Sequence, residues 1–307
     1  MKNTYKKSEQ EEHFHKISDP IHDSWIHCES ATKGDLKKVG DILKIDPEDL
    51  QDSLDMMEIA RIEHIDKDIF VVYTRYPSVM EAGLYTTPLT IVISPHHFVT
   101  ICPKSSHIIH KILSQPSDLA TKMRSKLLIE LLSKIIQEFT RTIRQIRAEV
   151  INQEQDISQV SDEEIIELTK KEEKLNQSLN SLVPLKKVIT DLLSGRFIVL
   201  SEEDQEHLED VILASEQAED LCRLSIRIIS SLRNSVQVVI TNQFNKTIKL
   251  LTAMTIILNF PTMISSLYGM NVALPLEKNP FAFMIILSII SVICIIAVYL
   301  FQRRRWL

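Results

Sequence analysis

The chain has 307 residues, with 35 basic and 41 acidic side chains and a formal net charge of −6. Its mean hydropathy is zero, but that value sums two unlike parts. The first 249 residues hold 31 basic and 40 acidic side chains and balance at −9, whereas only Glu277, Lys278, Arg303, Arg304 and Arg305 are charged in the last 58, which balance at +3. This split excludes one uniform globular body and implies a polar body on a membrane-embedded tail.

The acidic body argues against a nucleic-acid partner and is compatible with divalent cations. Five glycines predict few tight turns and long helices. Cys28, Cys102, Cys222 and Cys294 are far apart and lack CxxC spacing. They form neither a disulfide framework nor a zinc site, and they point to a reducing cytosol. Residues 1–12 are polar and show no apolar core of a signal peptide, so membrane insertion is expected to be directed by the tail.

In chain order, 25–28, 60–64, 69–76, 85–93 and 98–102 are short runs rich in Ile, Val, Tyr and Thr, and they read as strands. Residues 35–43 and 47–55 read as short helices, the second with Pro47 at its first position behind Asp46 as cap. Over 118–157 and 161–193 apolar residues recur at i, i+3 and i+4, the pattern of long amphipathic helices. Ser201 is a good N-cap, with Glu202, Glu203 and Asp204 favouring the helix dipole. From there to Ser266 the only breaker is Pro261. The reading is one helix of about 65 residues, on the order of 100 Å at 1.5 Å per residue, coupling the body rigidly to the membrane.

Residues 281–301 are interrupted only by Ser288 and Ser291. That run is long enough to cross the hydrocarbon core. Residues 250–267 form a second, more polar span, and 268–280 is too short for a domain, so the two spans make an antiparallel hairpin. Lys246 and Lys249 precede the first span and Arg303, Arg304 and Arg305 follow the second. The positive-inside rule then places both termini in the cytoplasm of a cell-membrane protein in contact with lipid, with the short loop outside.

The polarity of the first span is ordered. Asn245, Thr252, Thr255, Asn259, Thr262 and Ser266 are spaced 7, 3, 4, 3 and 4 and fall within an arc of about 100°. Threonines in membrane helices commonly bond their own backbone, and polar residues also act as helix–helix glue. Six on one seam, facing lipid, would leave amides and hydroxyls unpaired. The seam is expected to face protein or a water-filled path, and one such helix cannot enclose a pore without a symmetric oligomer.

Directly after the first span comes Tyr268-Gly269-Met270-Asn271, followed by a short loop, a second span and a basic cluster. This arrangement resembles the CorA-type magnesium transporter family, whose hallmark is Gly-Met-Asn at this place. The resemblance covers the whole architecture and is clearest from 201 to 307. It implies an α/β cytoplasmic domain, a long helical stalk and a two-helix transmembrane hairpin, assembled as a funnel-shaped homopentamer. The domains expected are 1–117 (α/β), 118–200 (helical), 201–249 (stalk), 250–267 and 281–301 (spans), 268–280 (outer loop) and 302–307 (basic tail).

By position, the resemblance puts the pore lining on Asn245, Ile248, Leu251, Asn259, Thr262 and Asn271. Thr252 and Thr255 share the seam, and Gly269 and Met270 belong to the motif. Mg²⁺ dehydrates reluctantly, so a ring of Asn271 amides at the outer mouth suits its hydrated form. Gly269 is expected to let the backbone turn there without a Cβ clash. Ile248 and Leu251 would be apolar constrictions that gate by dewetting. Asn259 stands where an apolar residue is expected. The outer loop, Val272-Ala273-Leu274-Pro275-Leu276-Glu277, departs from the acidic loop of many members, which leaves the role of Glu277 open.

The resemblance also implies regulatory Mg²⁺ held between subunits by carboxylates. Counting back from Asn271 gives Asp210, and the segment 50–54 gives Asp52. The alternative for both is an ordinary solvated acid. His13 and His15, and His96 and His97, lack nearby metal-ligand spacing and read as surface histidines. Glu163, Glu164, Glu167, Glu172 and Glu173, among Lys170, Lys171 and Lys174, read as a solvated helix face. No phosphate-binding loop or nucleophile elbow occurs, so neither an enzyme nor an organic cofactor is expected. The reading is a channel-like importer of Mg²⁺ gated by cytoplasmic Mg²⁺. A Zn²⁺, Co²⁺ or Ni²⁺ transporter of the same fold, and a non-transporting membrane-anchored scaffold or signalling protein, are the alternatives.

Overall fold

The structure is a computed structural model and describes residues 2–78, 83–116, 118–153, 162–272, 274–275, 279–304 and 306. The chain divides into two compact units, 1–232 and 233–307.

The first unit is built on a seven-stranded sheet. Its strands are β1 (Lys2–Lys6), β2 (His15–Ile17), β3 (Ser24–Cys28), β4 (Arg61–Asp66), β5 (Ile69–Pro77), β6 (Thr86–Ile93) and β7 (His97–Ile101). The order is β2-β1-β3-β7-β6-β5-β4. Among the described residues only β3 and β7 pair in parallel, with Ile26 opposite Val99. Side chains alternate across the pleat. Ile26, Cys28, Val71, Tyr73, Val92, Val99 and Ile101 therefore share one face. They form a core with Leu36, Val39 and Leu43 of α1 (Lys33–Leu43) and with Leu50. Trp25, Phe70, Val72, Ile91 and Phe98 point the other way and are equally buried. With both faces covered, β3, β5 and β6 are buried along their whole length rather than at alternate positions.

Capping chemistry sets the helix starts. Thr32 and Asp35 form a reciprocal capping box at α1, satisfying backbone donors that the first turn leaves orphaned. Asp46 caps Pro47–Leu54, the short helix read from the sequence, which is a 3-10 helix. Beyond the sheet come α2 (His107–Ser114), α3 (Arg124–Gln153), α4 (Asp162–Leu193) and α5 (Glu202–Tyr268). Ser201 Oγ accepts from the Asp204 backbone N–H at 3.1 Å, and Asp204 Oδ2 accepts from the Ser201 N–H at 3.4 Å. This is a second capping box, with Asp in the usual Glu position.

Four elements depart from the sequence reading. β1 and β2 complete one edge of the sheet although their sequences, KNTYK and HKI, carry almost no apolar signal. α2 has only eight residues, two helical turns, too few to establish a period. The helix expected from residue 118 starts at Arg124, and its end over 154–157 lies outside the described residues.

The second unit contains the later part of α5 and α6 (Ala282–Arg303). Apolar side chains here point outward on every side: Phe283 is 73% exposed, and Leu258 and Ile295 are each 68% exposed. Helices that are long and apolar with almost nothing buried are built for a lipid solvent, and both are long and apolar enough to cross a membrane. Ala253 and Ala297 are the small buried residues of the pair, as close helix approach in a membrane requires. Pro261 sits inside α5 and has no N–H to offer the Ile257 carbonyl. The Cys294 thiol of α6 lies 3.9 Å from that oxygen and supplies a weak donor in its place.

Candidate ion pathway

Asn245, Thr252, Thr255, Asn259, Thr262 and Ser266 are all exposed on α5. The face of α5 that meets α6 carries Ala253, Ile256 and Phe260: the first is buried, and the other two line a groove shared with α6. At 100° per residue the polar seam is centred about 100° around the helix from the centre of those three residues. The hairpin partner therefore does not satisfy the seam. Ile248 and Leu251, 45% and 55% exposed, lie on the same seam one to two turns before Thr255. A second open groove along α5, which shares Ile256 and Phe260 with the first, carries Asn259, Thr262 and Ser266 beside Met263.

The hydroxyls and the amides differ. Thr255 Oγ1 donates to the Leu251 carbonyl at 2.8 Å, and Thr262 Oγ1 donates to the Leu258 carbonyl at 2.9 Å. This is the helix-internal bond that threonine commonly makes. It consumes the hydroxyl proton and leaves an oxygen that can only accept. A hydrated cation presents water protons, so an accepting oxygen is the complementary surface. Among the described residues, the side-chain amides of Asn245, Asn259 and Asn271 have no partner.

The motif follows the last turn of α5. The Gly269 N–H bonds the Ser265 and Ser266 carbonyls at 3.0 and 3.3 Å, and the Met270 N–H bonds Leu267 at 3.3 Å. Gly269 is not one of the glycines with positive φ, which are Gly83 and Gly195. A Cβ at 269 would lie 3.4 Å from the Ser265 oxygen, an ordinary contact. The expectation that the turn itself demands glycine is therefore corrected: within one chain the backbone would accept a side chain there. Met270 is 55% exposed and Asn271 is exposed in the bend that follows. Asn279 Oδ1 accepts from the Phe281 N–H at 2.9 Å at the entry to α6. Glu277, Lys278 and Arg305 lie outside the described residues.

The two regulatory candidates sit in different surroundings. Asp52, in the 3-10 helix, is 57% exposed and 2.7 Å from Arg61 Nη2. Asp210 is exposed on α5 and lines a shallow pocket with Glu130, Gln137 and His207. Among the described residues no group of three or more His, Cys, Asp or Glu side chains converges on a metal position. Arg61 was not singled out by the sequence reading. It bonds Glu58 as well as Glu63 at 3.3 Å, and its guanidinium lies 4.1 Å over the Tyr73 ring. An arginine nine positions from an aspartate carries no periodic signal, so only the sheet reveals the pair. Lys171, within the charged run of α4, is bridged by Glu167 at 2.8 Å and Glu149 at 3.6 Å, a structural use of that run.

A sheet-and-helix body followed by two candidate C-terminal spans, the first with a polar seam that the second does not cover, defines a membrane transport protein. The model of the CorA-like Mg²⁺ transporter proteins matches residues 23–304, and the chain belongs to that family. The chain is 28% identical over 290 residues to the cobalt/magnesium transport protein CorA of Methanocaldococcus jannaschii, covering 92% of this chain and 91% of that one. It is 21% identical over 302 residues to the protein of the same name from Thermotoga maritima, covering 94% and 86%. The solved complete structure of the CorA magnesium transporter from M. jannaschii superposes with a TM-score of 0.85 at 24% identity, over 100% of this chain and 99% of that one. The protein is a magnesium transporter and not an enzyme.

Proposed function

We propose that the chain assembles as a homopentamer in the cell membrane and conducts Mg²⁺ inward along a path lined by Asn245, Ile248, Leu251, Thr252, Thr255, Asn259 and Thr262. Gly269, Met270 and Asn271 form the outer mouth. The observation that carries this reading is the angular separation of the polar seam from the α6-packing face. The seam has no partner in its own hairpin, and a ring of identical seams around an axis gives it one. Threonine and asparagine oxygens then accept from the water shell of an ion that is slow to shed it, and Ile248 and Leu251 make the narrow apolar step. Two charges crossing about 100 mV gain roughly 4.6 kcal/mol, enough to drive uptake without a coupled reaction. In this reading the sheet unit and both termini are cytoplasmic, and Mg²⁺ bound at Asp52 and Asp210 between subunits holds the path closed.

The test is complementation of a cell that needs added Mg²⁺. Wild type is expected to rescue growth and Asn271→Ala to fail; equal rescue removes Asn271 from the mouth. Failure of wild type to rescue or to admit any divalent cation favours a membrane-anchored scaffold. The names of the M. jannaschii and T. maritima relatives include cobalt beside magnesium. Uptake by reconstituted vesicles is therefore to be read with Mg²⁺, Co²⁺, Ni²⁺ and Zn²⁺ in parallel.

A further inference from the structure

An apolar groove runs between the two spans at the end opposite the 268–280 connection. Ile256 and Phe260 of α5 face Ile293 and Leu300 of α6, and Arg304 and Trp306 close one end. The Trp306 ring stacks on Phe301 with centroids 5.7 Å apart, and the Trp306 backbone N–H bonds the Phe301 carbonyl at 3.0 Å. This fixes an amphipathic ring at the mouth of the groove. Arg304 is exposed and has no acidic partner among the described residues. From Ile293 to Arg304 the groove spans about 16 Å at 1.5 Å per residue, about half of the ~30 Å hydrocarbon thickness. A groove one leaflet long, apolar along its walls and cationic at the interface, has the dimensions and charge of a site for a single phospholipid.

The sign of the charge selects the occupant. From 233 to the end the chain carries Arg233, Lys246, Lys249, Lys278, Arg303, Arg304 and Arg305 against Glu277 alone. A second copy would bring the same cationic surface to the mouth of the groove. An anionic headgroup brings the opposite sign, and tryptophan and arginine are the side chains that sit at the level of lipid headgroups. We propose that this groove binds one anionic phospholipid of the leaflet nearest the basic tail, its phosphate on Arg304 beside Trp306 and an acyl chain along Ile293 and Phe260. The site depends on the hairpin lying in a bilayer and not on which ion is carried.

The chain has two tryptophans, and Trp25 is buried in the sheet, so Trp306 reports the groove. The full chain is reconstituted in phosphatidylcholine vesicles containing a minor fraction of either phosphatidylglycerol or phosphatidylcholine with brominated acyl chains. Brominated phosphatidylglycerol is expected to quench the tryptophan emission more strongly, and Trp306→Phe to abolish that component. Arg304→Gln is expected to cut the preference about fivefold, the factor one cation near the surface contributes, while Arg303→Gln, outside the groove, retains it. Equal quenching by both lipids overturns the proposal, as does an equal response to Arg303→Gln and Arg304→Gln, which marks a diffuse surface attraction. Quenching by neither lipid also overturns it and shows the groove covered by another copy. Should Arg304→Gln fail to insert, the wild-type comparison of the two lipids decides.

Discussion

Arg61 Nη2 lies 2.7 Å from Asp52 Oδ2, so the carboxylate to which the family resemblance assigns a regulatory cation already has a cation beside it. Arg61 is shared among Asp52, Glu58 and Glu63 and held flat on Tyr73. A divalent ion arriving at Asp52 must displace or share with the guanidinium. Both partners are substantially exposed, so the competition is modest. Arg61→Ala is expected to lower the internal Mg²⁺ concentration that shuts off uptake, by up to about fivefold. The measurement is uptake by vesicles loaded with graded Mg²⁺. An unchanged or higher closing concentration removes Asp52 from regulation.

Thr255 tests what the seam offers to an ion. Its proton is engaged by Leu251, so Thr255→Val removes an accepting oxygen while keeping shape and helix. Mg²⁺ uptake is expected to fall on the order of tenfold, the scale of one hydrogen bond to a charged partner, with the unfolding midpoint almost unmoved. Thr255→Ser should keep most of the flux. Full uptake by the valine variant would place Thr255 off the path.

His27 couples the sheet unit to pH. It is fully buried, with Nδ1 2.9 Å from Thr100 Oγ1 and Nε2 without a partner among the described residues. Burial lowers its pKa to about 4 from the ordinary 6.5, with Glu29 opposing and His110 adding to the shift. The unfolded chain therefore binds the proton more tightly. Stability is full above pH 6.5 and is lost as pH falls toward 4, by about 2 kcal/mol between pH 7 and pH 5. Thermal unfolding at the two pH values measures this. His27→Gln is expected to lower stability at pH 7 and to flatten the slope. His97 and His107, also pushed down by burial, keep a remainder. A slope unchanged in His27→Gln refutes the assignment.

Ser201 and Asp204 fix where α5 starts. Ser201→Ala removes the acceptor for the Asp204 N–H and is expected to destabilise the chain by about 1 kcal/mol. Ser201→Asp should recover most of the loss. A denaturation midpoint that does not move for the alanine variant would show that the first turn is held by other contacts, Lys126–Glu203 at 2.6 Å foremost.

The amino-acid sequence by itself determined the features that rest on local periodicity and composition. Strands β3 to β7, α1, the two amphipathic helices and α5 follow from patterns that tertiary contacts reinforce. The spans follow from apolar length, and the family from the 268–271 motif in that setting. Tertiary structure decided what depends on residues distant in sequence. β1 and β2 are too polar to announce themselves and are strands because β3 offers them an open edge. Arg61 reaches Asp52 because the 3-10 helix lies beside β4. Gly269 proves free of backbone strain, which no motif discloses. The polar seam was legible as an arc on a helical wheel. That it turns away from α6 was decided by Ala253 and Ala297, whose small side chains let the helices meet on a neighbouring face.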